Sequence, residues 1–250
     1  MVGEIQILVV QTDEKWFFGT VMRQFQKNVP FYGVATNLAQ QNKNRIAKQM
    51  YIATTAFAPT DNDFLKGGLS FKVGLVCVGY MRKAKRVGCK RVYNDDGTYT
   101  YSGEVVTNIG DDIFEPLEIT GSKEGSGSAR KFSLMKWWDN EHFSKLEELQ
   151  KEVSRLTGKK TIVRYQWDNA GPHTEKTLKT YLENEFEKRQ WIFTPQPPNS
   201  PVPNVQDCAI FPSMAKRVSS FQATFHNGKQ LRKKELDDAV RSDQAEKITY

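Results

Sequence analysis

The sequence predicts an α/β protein: a mixed sheet, antiparallel in its first three strands and parallel afterwards, flanked by helices. Two observations carry this. Three β-rich segments come first, joined by turn residues, and from residue 133 onward helical periodicity alternates with short strands. At 250 residues the chain has room for one or two domains. A chain of this length buries roughly 70–75% of its unfolded surface.

The first strand is Glu4 to Thr12, EIQILVVQT, apolar and continuous enough to be buried; it runs into Asp13-Glu14-Lys15-Trp16-Phe17-Phe18. Residues 19–48 read as loop with some helix. Gln49 to Ala58 is the second strand, and Pro59-Thr60-Asp61-Asn62 and Gly67-Gly68 supply turn chemistry. Phe71 to Tyr80 is the third strand, and such close neighbours pair most simply as antiparallel. Residues 92–131 differ in character. Asn94-Asp95-Asp96-Gly97 signals a hairpin turn and Gly121 to Ser128 has linker composition, so this stretch reads as an insertion. Over 133–157, Leu146, Leu149, Val153 and Leu156 share one helical face, with Gly158 as C-cap. Thr161 to Trp167 is a strand ending at Asp168. A helix over 174–189 with Leu178, Leu182 and Phe186 in register follows, and then a short strand, 191–194. Pro195 to Pro203 holds five prolines and cannot be helical. Residues 204–225 resume helical spacing with Val205, Ala209, Phe211 and Val218 inward; 226–250 is a charged tail with a loosely attached helix.

Composition excludes several classes. No run approaches the ~20 apolar residues of a spanning helix, so no membrane role is expected. The first residues lack the basic and apolar regions of a secretory signal. The three cysteines, Cys77, Cys89 and Cys208, form no CxxC pair, which argues against a disulfide scaffold or zinc knuckle. The net charge is +7, and seven basic residues with no acid lie between Ser70 and Val92, a pattern that suits a polyanion or simply a solvated loop.

Three acids occupy similar addresses. Asp13 follows the first strand, Asp168 follows the fourth, and Asp207 opens the helix after the proline segment. Ligand sites in open α/β sheets form at strand ends. Three carboxylates in one cleft repel each other unless a cation joins them, and hard divalent ions with oxygen ligands do this. The same positions are also ordinary capping chemistry, and the pattern alone leaves both readings open.

Longer blocks around these acids carry a resemblance. Asp13-Glu14-Lys15-Trp16-Phe17, Trp167-Asp168-Asn169-Ala170-Gly171-Pro172-His173, and Pro197-Pro198-Asn199-Ser200-Pro201 with Asn204-Val205-Gln206-Asp207 come in the order of the three catalytic blocks of mariner-like DDE/D transposases, and the chain resembles that family over roughly residues 4–225. Phe71 to Arg86 is similar to the family's third strand and its basic end. The 38 residues between Asp168 and Asp207 resemble the all-aspartate plant and protist branch.

The resemblance implies an RNase H-like fold over 1–225, with the insertion at 92–131 and the tail at 226–250. It implies metal-dependent DNA cleavage and strand transfer, with Asp13, Asp168 and Asp207 as the catalytic triad holding two Mg²⁺ or Mn²⁺ ions. Asn169 and His173 would support the site, and Arg82, Lys83, Lys85 and Arg86 would hold the DNA backbone. DNA is the implied partner, a homodimer the implied assembly, with residues 19–48 at the position of a dimer-contact loop, and the nucleus the implied location. Cys208-Ala209 replaces the Leu-Gly of many relatives. Family members carry helix-turn-helix domains ahead of the first catalytic strand; here twelve residues precede Asp13, and the expectation is a core without that reader. The alternatives are a non-enzymatic, DNA-binding or dimerising remnant and a structure-directed nuclease. Glu14 is expected to be solvated, and Trp16, Phe17 and Phe18 to anchor the core.

Overall fold

The computed structural model describes residues 4–19, 47–59, 67–93, 98–122, 131–196, 205–226 and 231–241. The expected turn at 94–97, most of the linker at 121–128, most of the proline segment and nearly all of the dimer-contact loop lie outside them.

The chain opens with β1 (Ile5–Phe18), β2 (Lys48–Ala58) and β3 (Leu69–Cys77), paired in that order as antiparallel neighbours. Three two-stranded ribbons follow: β4 (Gly79–Lys83) with β7 (Asp112–Pro116), β5 (Gly88–Tyr93) with β6 (Tyr99–Thr107), and β8 (Glu118–Thr120) with β9 (Lys131–Ser133). Next come α1 (Leu134–Trp137), a π-helical turn over Trp138–His142, and α2 (Phe143–Thr157). Strand β10 (Lys160–Trp167), α3 (Lys176–Arg189) and β11 (Ile192–Pro195) follow, then a second π turn over Gln206–Ile210, α4 (Phe211–His226) and α5 (Lys233–Arg241).

β10 and β11 add to the other edge of β1 in parallel, so the sheet runs β11–β10–β1–β2–β3. An antiparallel meander followed by parallel strands, with helices on both faces, is the arrangement of an RNase H-like fold.

β1 alternates cleanly. Leu8 and Val10 face a core built with α1, α2, α3 and β10, including Leu146, Val153, Leu178, Leu182 and Phe186. Phe17 faces a second core on the other side, built with α4 and α5. Of the three expected aromatic anchors, Phe17 is buried and Trp16 and Phe18 are half-buried.

Five expectations change in the structure. The first strand runs on to Phe18, because the β2 ladder continues after the β10 ladder has ended. Asp13 therefore lies inside β1, opposite Ala53. The third strand stops at Cys77. Val78 is fully buried, donates to Met50 O and accepts from Leu117 N–H, and the chain then leaves the sheet at Gly79. A Cβ at Gly79 would meet the Phe114 ring at 1.9 Å, so only glycine allows β4 to pack on β7 this closely.

The long helix is broken by the Trp138–His142 turn. One extra residue re-phases a helix face by about 100°. Trp138 and His142 in the turn and Leu146 and Val153 after it are all buried. In the last predicted helix, Val205 and Ala209 are exposed and the inward face starts at Phe211. Finally, α5 is firmly packed rather than loosely attached: Leu231, Leu236, Ala239 and Val240 are buried, and Tyr51 Oη donates to Asp237 Oδ1 at 2.6 Å.

Candidate functional site

Residues 11 and 166 are the last pair of the β1–β10 ladder. Asp13 lies two residues past Gln11 and Asp168 two residues past Gln166, so both acids sit at one level just beyond the end of the β1–β10 ladder, Asp13 still within β1 and Asp168 directly after β10. This is the edge at which α/β sheets place ligands. Strand alternation puts Asp13 on the α4 side with Lys15 and Phe17, and Glu14 on the opposite side with Thr12 and Val10.

Asp168 is held by the loop that follows it. Its Oδ1 accepts from Ala170 N–H at 3.1 Å and from His173 Nδ1. The other ring nitrogen of His173, Nε2, lies 3.1 Å from Glu14 Oε1. The His173 ring also stacks on Trp167, centroids 3.9 Å apart. His173 is buried, and burial alone would pull its pKa down; hydrogen bonds and charge from Asp168 and Glu14 outweigh this and push it up to about 9. Burial would raise Asp168, but the His173 bond and charge and the Ala170 N–H hold it below the usual carboxylate range. The result is an imidazolium clamped between two carboxylates.

Glu14, expected to be solvated, has a side chain only 11% exposed. The longer β1 explains this, since residue 14 keeps the inward phase of residues 8, 10 and 12. The loop is braced from outside. Asn169 Nδ2 donates to Gln196 O at 2.7 Å, and Gly121 N–H donates to Glu175 Oε2 at 2.9 Å.

Asp207 arrives on the second π turn. Its neighbour Gln206 is fully buried and donates through Nε2 to Gln11 O and Thr55 Oγ1, which fixes the turn against β1 and β2. Asp207 itself pairs with Lys15 Nζ at 3.1 Å, both side chains about half exposed. Among the described residues, Glu14, Asp168 and His173 form a group whose ligand atoms all lie within 4.8 Å of one another; Asp13 and Asp207 fall outside it. Glu14 and Asp168 could hold a metal ion, with His173 joining them only on giving up its proton, and the carboxylate oxygens of all four acids suit hard divalent cations.

A buried polar chain lies behind the cleft. His142 Nε2 meets Tyr165 Oη at 3.0 Å, Tyr165 Oη meets Thr12 Oγ1 at 2.6 Å, and Thr12 meets Thr54 at 2.8 Å. It links the first π turn to the strand position before Asp13. Nothing in the spacing of these residues announces it.

The basic residues lie on the ribbon. Arg82 is ion-paired to Glu115, while Lys83, Lys85 and Arg86 are exposed at the end of β4 and the following bend.

No protein-family model matches the chain, and no curated protein matches it by sequence. Among solved structures, the chain is similar to the catalytic domain of Mos1 mariner transposase, at 12% identity over 96% of this chain and 84% of that one, with a TM-score of 0.34. A likeness of that size adds nothing to the topology and distances above.

Proposed function

We propose that this chain is the catalytic core of a DNA transposase, cleaving and transferring DNA strands with Asp13, Asp168 and Asp207. The observation that carries the reading is that Asp13, Asp168 and the turn bearing Asp207 lie at one sheet edge. Asp13 and Asp168 are level just beyond the end of the β1–β10 ladder, and the turn bearing Asp207 is tied through Gln206 to Gln11. Asp207 is also paired with Lys15, two residues beyond Asp13. The three acids are far apart in sequence, and capping chemistry gives no reason for them to come to one edge.

The acids supply hard oxygen donors for two Mg²⁺ or Mn²⁺ ions, which when bound lower the pKa of water and stabilise the attacking and leaving oxygens of an in-line phosphoryl displacement. His173 fixes the orientation of Asp168 and draws Glu14 towards it. Asn169 anchors the same loop to the end of β11. Lys83, Lys85 and Arg86, with Arg82 beside them, would contact phosphates, which predicts salt-sensitive, sequence-independent binding. Homodimerisation and nuclear residence belong to the same reading.

One observation favours the remnant reading. Asp168 and Asp207 already have protein cations beside them, His173 and Lys15. The Lys15 pair is half exposed, and such pairs are worth only about 0–1 kcal/mol, so it is a weak competitor for a divalent ion.

Calorimetry of Mn²⁺ binding separates the two. The wild-type chain is expected to bind, and Asp168→Asn to bind at least roughly tenfold more weakly. Metal-dependent nicking of DNA should disappear in the same variant. A folded wild-type chain that takes up no Mn²⁺, with or without DNA, gives the remnant reading instead.

A further inference from the structure

A cavity of about 250 Å³ lies where β2 and β3 meet the segment that follows Asp207. Its floor is sheet, Ala53 and Thr55 of β2 and Leu75 of β3. Its wall is the segment immediately after Asp207, with Ile210, Ser213 and Met214. Lys72 and Arg217 line it as well. Ala53 is the direct cross-strand partner of Asp13. Paired residues of an antiparallel ladder project to the same face with Cβ atoms about 4.5–5.5 Å apart, so Asp13 is the neighbour of a lining residue on the same face of the sheet. Asp207 lies two residues before Ala209 and three before Ile210, both of which line the cavity.

The lining sets the ligand class. Apolar side chains on floor and wall suit the faces of a planar ring, the hydroxyls of Thr55 and Ser213 suit polar ring edges, and Lys72 and Arg217 suit a phosphate. Pockets for drug-sized molecules begin at about 300 Å³, so this one holds a single ring system rather than a peptide segment. We propose that it receives one nucleotide of a nucleic-acid strand, the unit next to the phosphate at the acids. This rests on the catalytic reading above and adds a subsite to it. A free nucleotide has the same chemistry; lining residues that adjoin Asp13 across the ladder and Asp207 along the chain favour a nucleotide that is part of a strand.

The test uses the whole chain and a short single-stranded DNA carrying 2-aminopurine at one end, with an otherwise identical strand that is abasic there. Ser213 is exposed, so Ser213→Phe narrows the cavity without disturbing the core, and Arg217→Glu is a second variant that adds no bulk. Wild type is expected to bind the base-bearing strand about tenfold more tightly than the abasic one, a difference lost in Ser213→Phe. Arg217→Glu should weaken both strands, more so at low salt. Equal binding of both strands by wild type overturns the proposal, as does a folded Ser213→Phe that still discriminates. Competition by a free deoxynucleoside monophosphate at the strand's own affinity overturns the strand assignment in favour of a free-nucleotide site. Mn²⁺ calorimetry on Ser213→Phe should match wild type. A chain that discriminates the strands but binds no Mn²⁺ fails the catalytic reading alone and leaves the subsite standing.

Discussion

His173 and His142 are both buried, yet their partners drive them in opposite directions. His173 sits between two carboxylates, which push its pKa up to about 9; His142 meets the neutral Tyr165 Oη, and burial, helped by the Lys145 charge, pulls it down to about 3. Between pH 6.5 and 9 the folded chain keeps a proton on His173 that the unfolded chain has released. Its contribution is complete below 6.5 and is lost as pH rises through 9. Between pH 3 and 6.5 the unfolded chain protonates His142 while the folded chain resists, so that contribution is complete above 6.5 and is lost on acidification. From these two groups stability peaks near neutrality. The alkaline loss is on the order of 3 kcal/mol for a shift of this size. Denaturant titrations across pH 6.5 to 9 should show it in the wild type, and His173→Asn should be flat over that window and less stable at its lower end. The sequence made His173 visible, because it lies five residues from Asp168 within one block. Glu14 was not legible, because DEK after an apolar run reads as a turn. Only the β2 ladder, 36 or more residues away, keeps it in strand. The Lys15–Asp207 pair spans 192 positions, and no local pattern encodes it.

At the scale of elements, local rules worked where one face alone decides. The apolar spacing of α3, the αL cap at Gly158 and the strand leading into Asp168 all stand as read. They failed at the two π turns, where tertiary packing of Trp138 and Gln206 overrides the 3.6-residue period. They also missed why the ribbon region matters to the site. Gly121, just after β8, packs on the loop that carries His173: a Cβ there would lie 2.6 Å from Pro172 O and within 2.9 Å of Glu175. Gly121→Val must therefore push the 172–175 segment away or strain it. Overpacking of this kind costs about 1–3 kcal/mol. Thermal unfolding should show that loss, and Mn²⁺ binding should weaken with it because Asp168 and His173 belong to the displaced loop. Unchanged metal binding in a folded Gly121→Val would mean that the brace does not reach the acids.

The whole molecule is a sheet with a separate core on each face, and the chemistry draws on both. Asp13 faces the α4–α5 side and Asp207 lies on the turn leading into α4, whereas Glu14 faces the α1–α3 side and meets His173, which also holds Asp168. The order of strands was legible from the order of segments, whereas the closing of the second face was not. Its last contributor, α5, is mostly charged, and only Leu236, Ala239 and Val240 face inward. These residues complete the core around Phe17, Tyr51 and Phe211, directly beneath the strand that carries Asp13. If α5 were a loosely attached tail, Leu236→Ala would fall within the ~0.5 kcal/mol typical of surface changes. Leu236 is fully buried, so the cavity it leaves should cost about 2–5 kcal/mol. For a chain of this size that lowers the melting temperature by roughly 4–20 °C. The Glu14–His173–Asp168 clamp lies across the sheet, so the fall in stability from pH 6.5 to 9 should keep its size in Leu236→Ala. Loss of that pH dependence together with stability would show that the two faces unfold from a shared, already loosened state, and that the acids on β1 depend on α5 for their alignment.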